Sequence, residues 1–253
     1  MTSEDSVPAP LRRLWRMSQP SRLGRPPALD VDAVVTAAVE IADRDGLAGV
    51  TLPKVAESLG FTGMSLYRHV GSKDELLTLM TDAALGAPPE PDSGDWRGGL
   101  RAWAFEQRAV FQRRPWLTRV PVSGPPSGPN QIAWMEVALA AMSGTGLDWV
   151  DKVSVLSLIG GYVVQSVRQH SDLAEGRGEG REQADAERDY ARALARLVDP
   201  GRFPQTARLL ASALFEAPSA PPEAGAAVAD ADFSLGLDLI LDGIAARIGR
   251  AAP

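Results

Sequence analysis

Apolar residues in this chain recur at helical spacing almost from end to end, and that feature decides its class of fold. Val34, Ala38, Ile41 and Ala42, for example, stand at i, i+4, i+7 and i+8, one face of a helix with 3.6 residues per turn. Runs that alternate apolar with polar residues and are rich in Val, Ile and Thr, the mark of a half-buried strand, are missing. The expectation is an all-α protein. Asp30 is placed to cap a first helix that Gly46 closes. Thr51 caps a short second helix, with Pro53 tolerated in its first turn and Val55, Ala56 and Leu59 facing inward. Gly60 ends it. Thr62 is placed to cap a third helix running to about His69, and Ser72 with Glu75 forms a capping-box signature for a fourth that reaches Leu85.

The break Gly86-Ala87-Pro88-Pro89-Glu90-Pro91 predicts a domain boundary. Longer helices are expected beyond it, at about 96–114, 129–144, 148–170, 182–199, 204–215 and 230–249. Pro- and Gly-rich stretches at 121–129 and 175–180 read as loops, and an Ala/Pro-rich stretch at 216–229 reads as a mobile one. No fixed-period repeat is present, so a solenoid is not expected. The domain reading is a flexible basic arm over 1–27, a three-helix reading domain over 28–72, a bridging helix over 73–86 and a larger helical domain over 87–253.

Composition narrows the chemistry. The chain has 253 residues, 45% hydrophobic and 23% charged, ordinary for a soluble protein. It has no Cys, which excludes disulfides, thiolate metal sites, cysteine nucleophiles and iron–sulfur clusters held by the chain. No secretory signal and no stretch of ~18 uninterrupted apolar residues is found, so a cytoplasmic protein without a membrane span is expected. The formal net charge of −6 at first speaks against nucleic acid, but its distribution does not. Residues 1–27 carry Arg12, Arg13, Arg16, Arg22 and Arg25 against Glu4 and Asp5, and residues 51–73 carry Lys54, Arg68 and Lys73 against Glu57. Net positive charge is confined to those two islands.

The second island coincides with two short helices joined at Gly60, the spacing of a helix-turn-helix. Its second helix puts Leu66 and Val70 on one face and leaves Gly63, Met64, Ser65, Tyr67, Arg68 and His69 to look outward. Hydroxyl and imidazole groups suit phosphate oxygens, and a guanidinium suits the guanine edge. Lys73 adds a charge beside the exposed N-terminus of the next helix. The same spacing also fits an αα-hairpin with a solvated polar face, and spacing alone leaves both open.

The segments Leu29–Leu47, Val55–Phe61 and Met64–Leu77 together resemble the N-terminal domain of the tetracycline-repressor-like (TetR/AcrR) transcriptional regulators. A Leu-Tyr-x-His-Val-x-x-Lys run after a helix-turn-helix is the most specific part of the likeness. Gly128-Pro129-Asn130, Gly160-Gly161-Tyr162-Val163 and the run from Phe233 to Ile244 are similar to the ligand-binding and dimerisation domain of that family's tetracycline-repressor branch. The resemblance implies that Ser65, Tyr67, His69 and Lys73 contact DNA phosphates, and that Gly63, Met64 and Arg68 approach bases, with Thr62 opening that face. Family members commonly carry a polar or basic pair where this chain has Leu52 and Pro53. Lys54, or Arg22 and Arg25 in the arm, then stand in for those contacts. The resemblance further implies a homodimer on a palindromic DNA operator, formed by helices 148–170 and 230–249, in which Gly160, Gly161, Gly236 and Gly243 permit close approach.

Trp103, Phe111, Trp116, Trp134 and Tyr162 recur on separate helices with the polar Asn130 and Gln165 nearby, a mixture that suits a largely apolar pocket for a small-molecule effector. The same residues also suit plain core packing. His170, near the end of its helix, reads as a surface group. No cofactor and no metal are expected. An enzyme is not expected either: an Asp-Asp-x-x-Asp cluster, inward Glu-x-x-His pairs, a Gly-x-Ser-x-Gly elbow, a phosphate loop and a dinucleotide fingerprint are all missing. The remaining alternatives are a helical adaptor that binds protein and a small-molecule-binding helical enzyme. The adaptor requires an apolar outer face on helix 62–70, where this chain offers hydroxyl, imidazole and guanidinium groups.

Overall fold

The computed structural model describes residues 7–17, 30–90, 94–177, 183–215 and 222–251. All regular structure among them is helical. In chain order the helices are α1 (Ala9–Leu14), α2 (Val31–Asp45), α3 (Leu52–Ser58), α4 (Gly63–Val70), α5 (Lys73–Leu85), α6 (Trp96–Arg113), α7 (Pro129–Ala141), α8 (Trp149–Arg177), α9 (Gln183–Ala195), α10 (Pro204–Leu210) and α11 (Pro222–Ala251). Short 3₁₀ turns occupy Leu47–Gly49, Pro115–Arg119 and Ala213–Phe215. The chain divides into two compact units, Met1–Val167 with Leu241–Pro253, and Arg168–Ile240.

The first unit begins with helices that local chemistry starts and stops. Asp30 accepts from the Ala33 amide at 2.7 Å, Thr51 from Lys54 at 3.3 Å, Ser72 from Glu75 at 3.1 Å and Asp95 from Gly98 at 2.7 Å. Each such cap satisfies an orphan amide and contributes about 1 kcal/mol. Between α3 and α4 the chain reverses at Gly60, whose φ of 73° would strain any residue with a Cβ by roughly 1–2 kcal/mol. The turn is closed by Gly60 N donating to Glu57 O at 3.0 Å and Phe61 N donating to Ala56 O at 2.9 Å. Val34, Val55, Leu66, Val70, Leu76 and Met80 are fully buried where α2, α3, α4 and α5 meet. Leu66 on α4 and Ala56 on α3 pack the hairpin as their spacing predicts.

In the second unit, Phe233 and Leu237 of α11 and Ala191 of α9 are buried, and α9 packs with α10 and the 3₁₀ turn that follows it. This unit holds an open concavity of about 330 Å³ lined by Arg188, Arg192, Leu210 and Phe215, with Ala191, Ala195 and Ser212 between them.

Several local expectations change. Within the segment read as a flexible arm, Ala9–Leu14 form α1, with Pro8 at the position before it and Leu14 buried. The capping box at Ser72 is half made: Ser72 caps α5, but the Glu75 carboxylate is taken by Arg13 instead of reaching back. The stretch expected as a loop at 175–180 is helical as far as Arg177. The stretch expected as mobile, 216–229, is helical from Pro222, because Pro suits a first helical position and the Ala residues after it are the strongest helix formers.

Candidate functional site

Helix α4 is only eight residues long, and its two faces differ sharply. Leu66 and Val70 are wholly inside, whereas Met64 is 75% exposed, Tyr67 is 52% exposed and Arg68 is also exposed. Gly63, Ser65 and His69 are half-buried at the margins of that outer face. Thr62 precedes the helix with its hydroxyl 3.1 Å from the Ser65 hydroxyl, so the two side chains form a pair at the helix start and the expected side-chain cap is not made; the Thr62 carbonyl accepts from Ser65 N at 2.9 Å. Lys73 opens α5 in full view of solvent, directly after the Gly71-Ser72 turn. Lys54 stands exposed on α3, while its neighbour Leu52 is buried and Pro53 is exposed without a donor. Lys54 adds to the field that lowers the Asp45 carboxyl below its usual range, after the larger effect of a hydrogen bond from Arg44. Arg22 and Arg25 lie outside the described residues.

One surface therefore carries Met64, Tyr67 and Arg68 from α4 with Lys73 from α5, on a helix whose inner face is locked in the core. Hydroxyl and cationic groups on such a surface suit phosphates, and a guanidinium suits a base edge. A fixed short helix keeps those groups in register.

The aromatic residues expected near a pocket form mostly a joint. Trp103 and Trp134 are buried with ring centroids 6.4 Å apart at 63°, and Trp103 donates its indole N–H to the Trp134 carbonyl at 2.8 Å. Trp134 in turn donates to Gly86 O at 3.0 Å, at the end of α5. Trp116 donates to Asp43 Oδ1 at 2.7 Å, and Arg114 adds an ion pair to Asp43 and a bond to Ala84 O at 3.0 Å. Asn130 donates its Nδ2 to the Asp82 carbonyl at 3.0 Å and to Asp82 Oδ2 at 3.2 Å. These contacts tie α6, α7 and the 3₁₀ turn after α6 to α2 and to the far end of α5. Phe111 and Tyr162 are half-buried, Gln165 is exposed and His170 is exposed.

Two residues were missed in the sequence reading. Asp82 is 4% exposed and accepts the Gln131 amide at 2.9 Å, closing the N-terminus of α7 from another helix. Gln107 Oε1 is buried without a hydrogen-bond partner, 3.8 Å from where a Cβ on Gly160 would stand. The available signal was the same for both: a polar side chain at helical spacing from apolar ones, Gln107 from Trp103 and Asp82 from Leu79. Among the described residues no three His, Asp or Glu side chains are grouped so as to hold a metal ion.

Residues 34–80 match the family model described as bacterial regulatory proteins, tetR family, and residues 88–248 match the tetracyclin repressor-like C-terminal domain. The HTH-type transcriptional repressor DrrR1 of Streptomyces coeruleorubidus is 38% identical over 252 residues, covering 96% of this chain and 88% of its own. The tetracycline repressor protein class A from transposon 1721 of Escherichia coli is 29% identical over 230 residues, covering 87% and 92%. Among solved structures, the apo form of ActR from Streptomyces coelicolor superimposes with a TM-score of 0.71 at 26% identity, over 90% of this chain and all of that one. ActR in complex with actinorhodin gives 0.71 at 28% identity, over 88% and 99%. Matched through its helix-turn-helix and through most of the helical region that follows, the chain belongs to the tetR family of bacterial regulatory proteins.

Proposed function

We propose that this protein is a ligand-responsive repressor that binds a palindromic DNA operator as a homodimer in the cytoplasm and is released by a small, largely apolar molecule. The observation that carries the reading is the outer face of α4, with Met64, Tyr67 and Arg68 exposed beside Lys73 while Leu66 and Val70 anchor the helix. Tyr67, Ser65, His69 and Lys73 act on phosphates, Arg68 and Met64 approach bases beside Gly63, and Lys54 supplements them from α3.

Dimerisation is supported by apolar side chains left open to solvent. Val153 and Leu158 on α8, and Leu235 and Leu239 on α11, are all more than half exposed. A Cβ on Gly161 or Gly243 would meet nothing within 4 Å, so neither glycine is required by its own protomer, and both leave room for a second copy. Residues 149–176 of α8 are also long and apolar enough to cross a membrane by composition, and a partner helix covers such a face equally well. Effector binding is supported by Gln107 Oε1, a buried acceptor with no hydrogen-bond partner, and Phe111 and Tyr162 are half-buried candidates for the apolar lining. The bound actinorhodin in ActR supports an organic molecule as effector.

Repressor and effector must oppose each other through one coupling free energy, typically about 1–3 kcal/mol, or roughly 5- to 150-fold in affinity. The test is an anisotropy titration with labelled duplexes tiling the DNA upstream of the protein's own gene. Nanomolar binding confined to a duplex with a palindrome is expected; no such duplex bound at that concentration overturns the reading.

A further inference from the structure

Residues 7–17 of the basic N-terminal segment are held against the fold. Arg13, one residue before the end of α1, places its Nε and Nη2 on the two carboxylate oxygens of Glu75, the second at 2.8 Å. Glu75 stands in the first turn of α5, directly behind the turn that joins it to α4. That turn depends on Gly71, with φ of 66°, and a Cβ there would run into Glu75 Oε2 and lie 3.1 Å from Arg13 Nη2. The ion pair thus roofs the turn between the outward-facing helix and α5. The hydrogen bond that Arg13 donates to Glu75 is the main cause that raises the Arg13 pKa above its usual value.

Further contacts fix the same segment. Leu14 is 4% exposed against the core. Arg16, left-handed at φ 53°, pairs with Asp32 in the first turn of α2 at 2.6 Å and returns a bond to Arg13 O at 2.8 Å. Trp15 donates its indole N–H to Ser127 O at 2.8 Å, in the loop before α7. Six residues of helix are too few to hold themselves together in water, so these contacts are what order α1.

We infer that α1 is a clasp that sets the pose of α4, with Arg13 a positioning residue for DNA reading that acts through Glu75 and the Gly71 turn. The inference rests on the DNA-binding function proposed above. It contrasts with a phosphate-contacting role for Arg13, and charge separates the two. Arg13→Ala removes a positive charge and Glu75→Gln removes a negative one, so a purely electrostatic role weakens DNA binding in the first variant and strengthens it in the second. A positioning role weakens it in both.

The experiment measures Arg13→Ala, Glu75→Gln, the double variant and Arg13→Lys in the full-length protein. Each is titrated against the upstream duplex at several salt concentrations, and amide exchange is followed at residues 70–76. Both single variants are expected to lose affinity by about tenfold, with the double variant no worse than either and Arg13→Lys in between. The salt slope stays at the wild-type value, and exchange quickens at residues 70–76 while the amides of α2 keep their protection. Opposite signs in the two single variants, or unchanged exchange in the turn, overturn the clasp. Wild-type protein that fails to bind any upstream duplex overturns the DNA-reading function itself, an outcome the exchange measurement does not share.

Discussion

Asp82 is a carboxylate buried at the far end of α5 and surrounded by donors, the Gln131 amide at 2.9 Å and the Asn130 side chain at 3.2 Å. Gly128 lies so close that a methyl group there would fall on the carboxylate. A capping group supplied by another helix fixes both helices at once, so its loss is felt across the joint. Asp82→Ala strands the Gln131 amide and is expected to destabilise the protein by about 1–3 kcal/mol. The urea midpoint measures this, and an unshifted midpoint contradicts it. Gly128→Ala is expected to act in the same direction. Asp82 was not identifiable as a cap from the sequence, because its partners are 48 and 49 positions away and only the fold brings them together. The local caps Asp30, Thr51 and Ser72 were legible, since each bonds three residues ahead.

Helix α4 is the element on which the functional reading turns, and its short length makes each outward residue separable. Replacing Tyr67 or Lys73 by Ala is expected to weaken binding to every DNA sequence. Arg68→Ala is expected to relax preference at one base position at a cost of about 1–3 kcal/mol, read by titrating duplexes varied one pair at a time. Equal losses for all duplexes with Arg68→Ala would move that residue to the phosphate class. This face was readable in the sequence because a surface helix announces itself by two buried positions, Leu66 and Val70, among polar ones. The aromatic helices were not readable in that way. Trp103, Trp116 and Trp134 carry the composition of a pocket, yet their indole N–H groups end on Trp134 O, Asp43 and Gly86 O. Spacing does not say whether a buried Trp faces a ligand or a neighbouring helix. Trp116→Phe removes the Asp43 bond while keeping the ring bulk, and a loss of about 1 kcal/mol in thermal or urea unfolding is expected. Helix α1 escaped detection for a related reason: six residues between Pro8 and Trp15 have little helical preference, and Glu75 and Asp32 supply the order from a distance.

At the scale of the whole molecule, the net charge of −6 hides where the cations face. Arg13 and Arg16 are paired within the fold with Glu75 and Asp32, and among the described residues Lys54 on α3, Arg68 on α4 and Lys73 on α5 are exposed. An acidic remainder limits attraction to DNA elsewhere on the surface, which favours binding at the two heads of the proposed dimer. Leu158→Lys or Leu235→Lys places a charge on a face expected to meet its copy. Either change is expected to convert the dimer to a monomer in sedimentation velocity and to abolish tight operator binding, since one head grips half a site. A wild-type monomer in the same experiment contradicts the dimer. DNA seated on the α4 face with Lys73 gives a salt dependence of binding to which Lys73 contributes. The slope of log K against log salt is measured for wild type and for Lys73→Ala on one upstream duplex. Loss of one phosphate contact per protomer lowers the slope by about 0.9 each, or roughly two for the dimer. Identical slopes for the two proteins would take DNA off the face that Lys73 shares with α4.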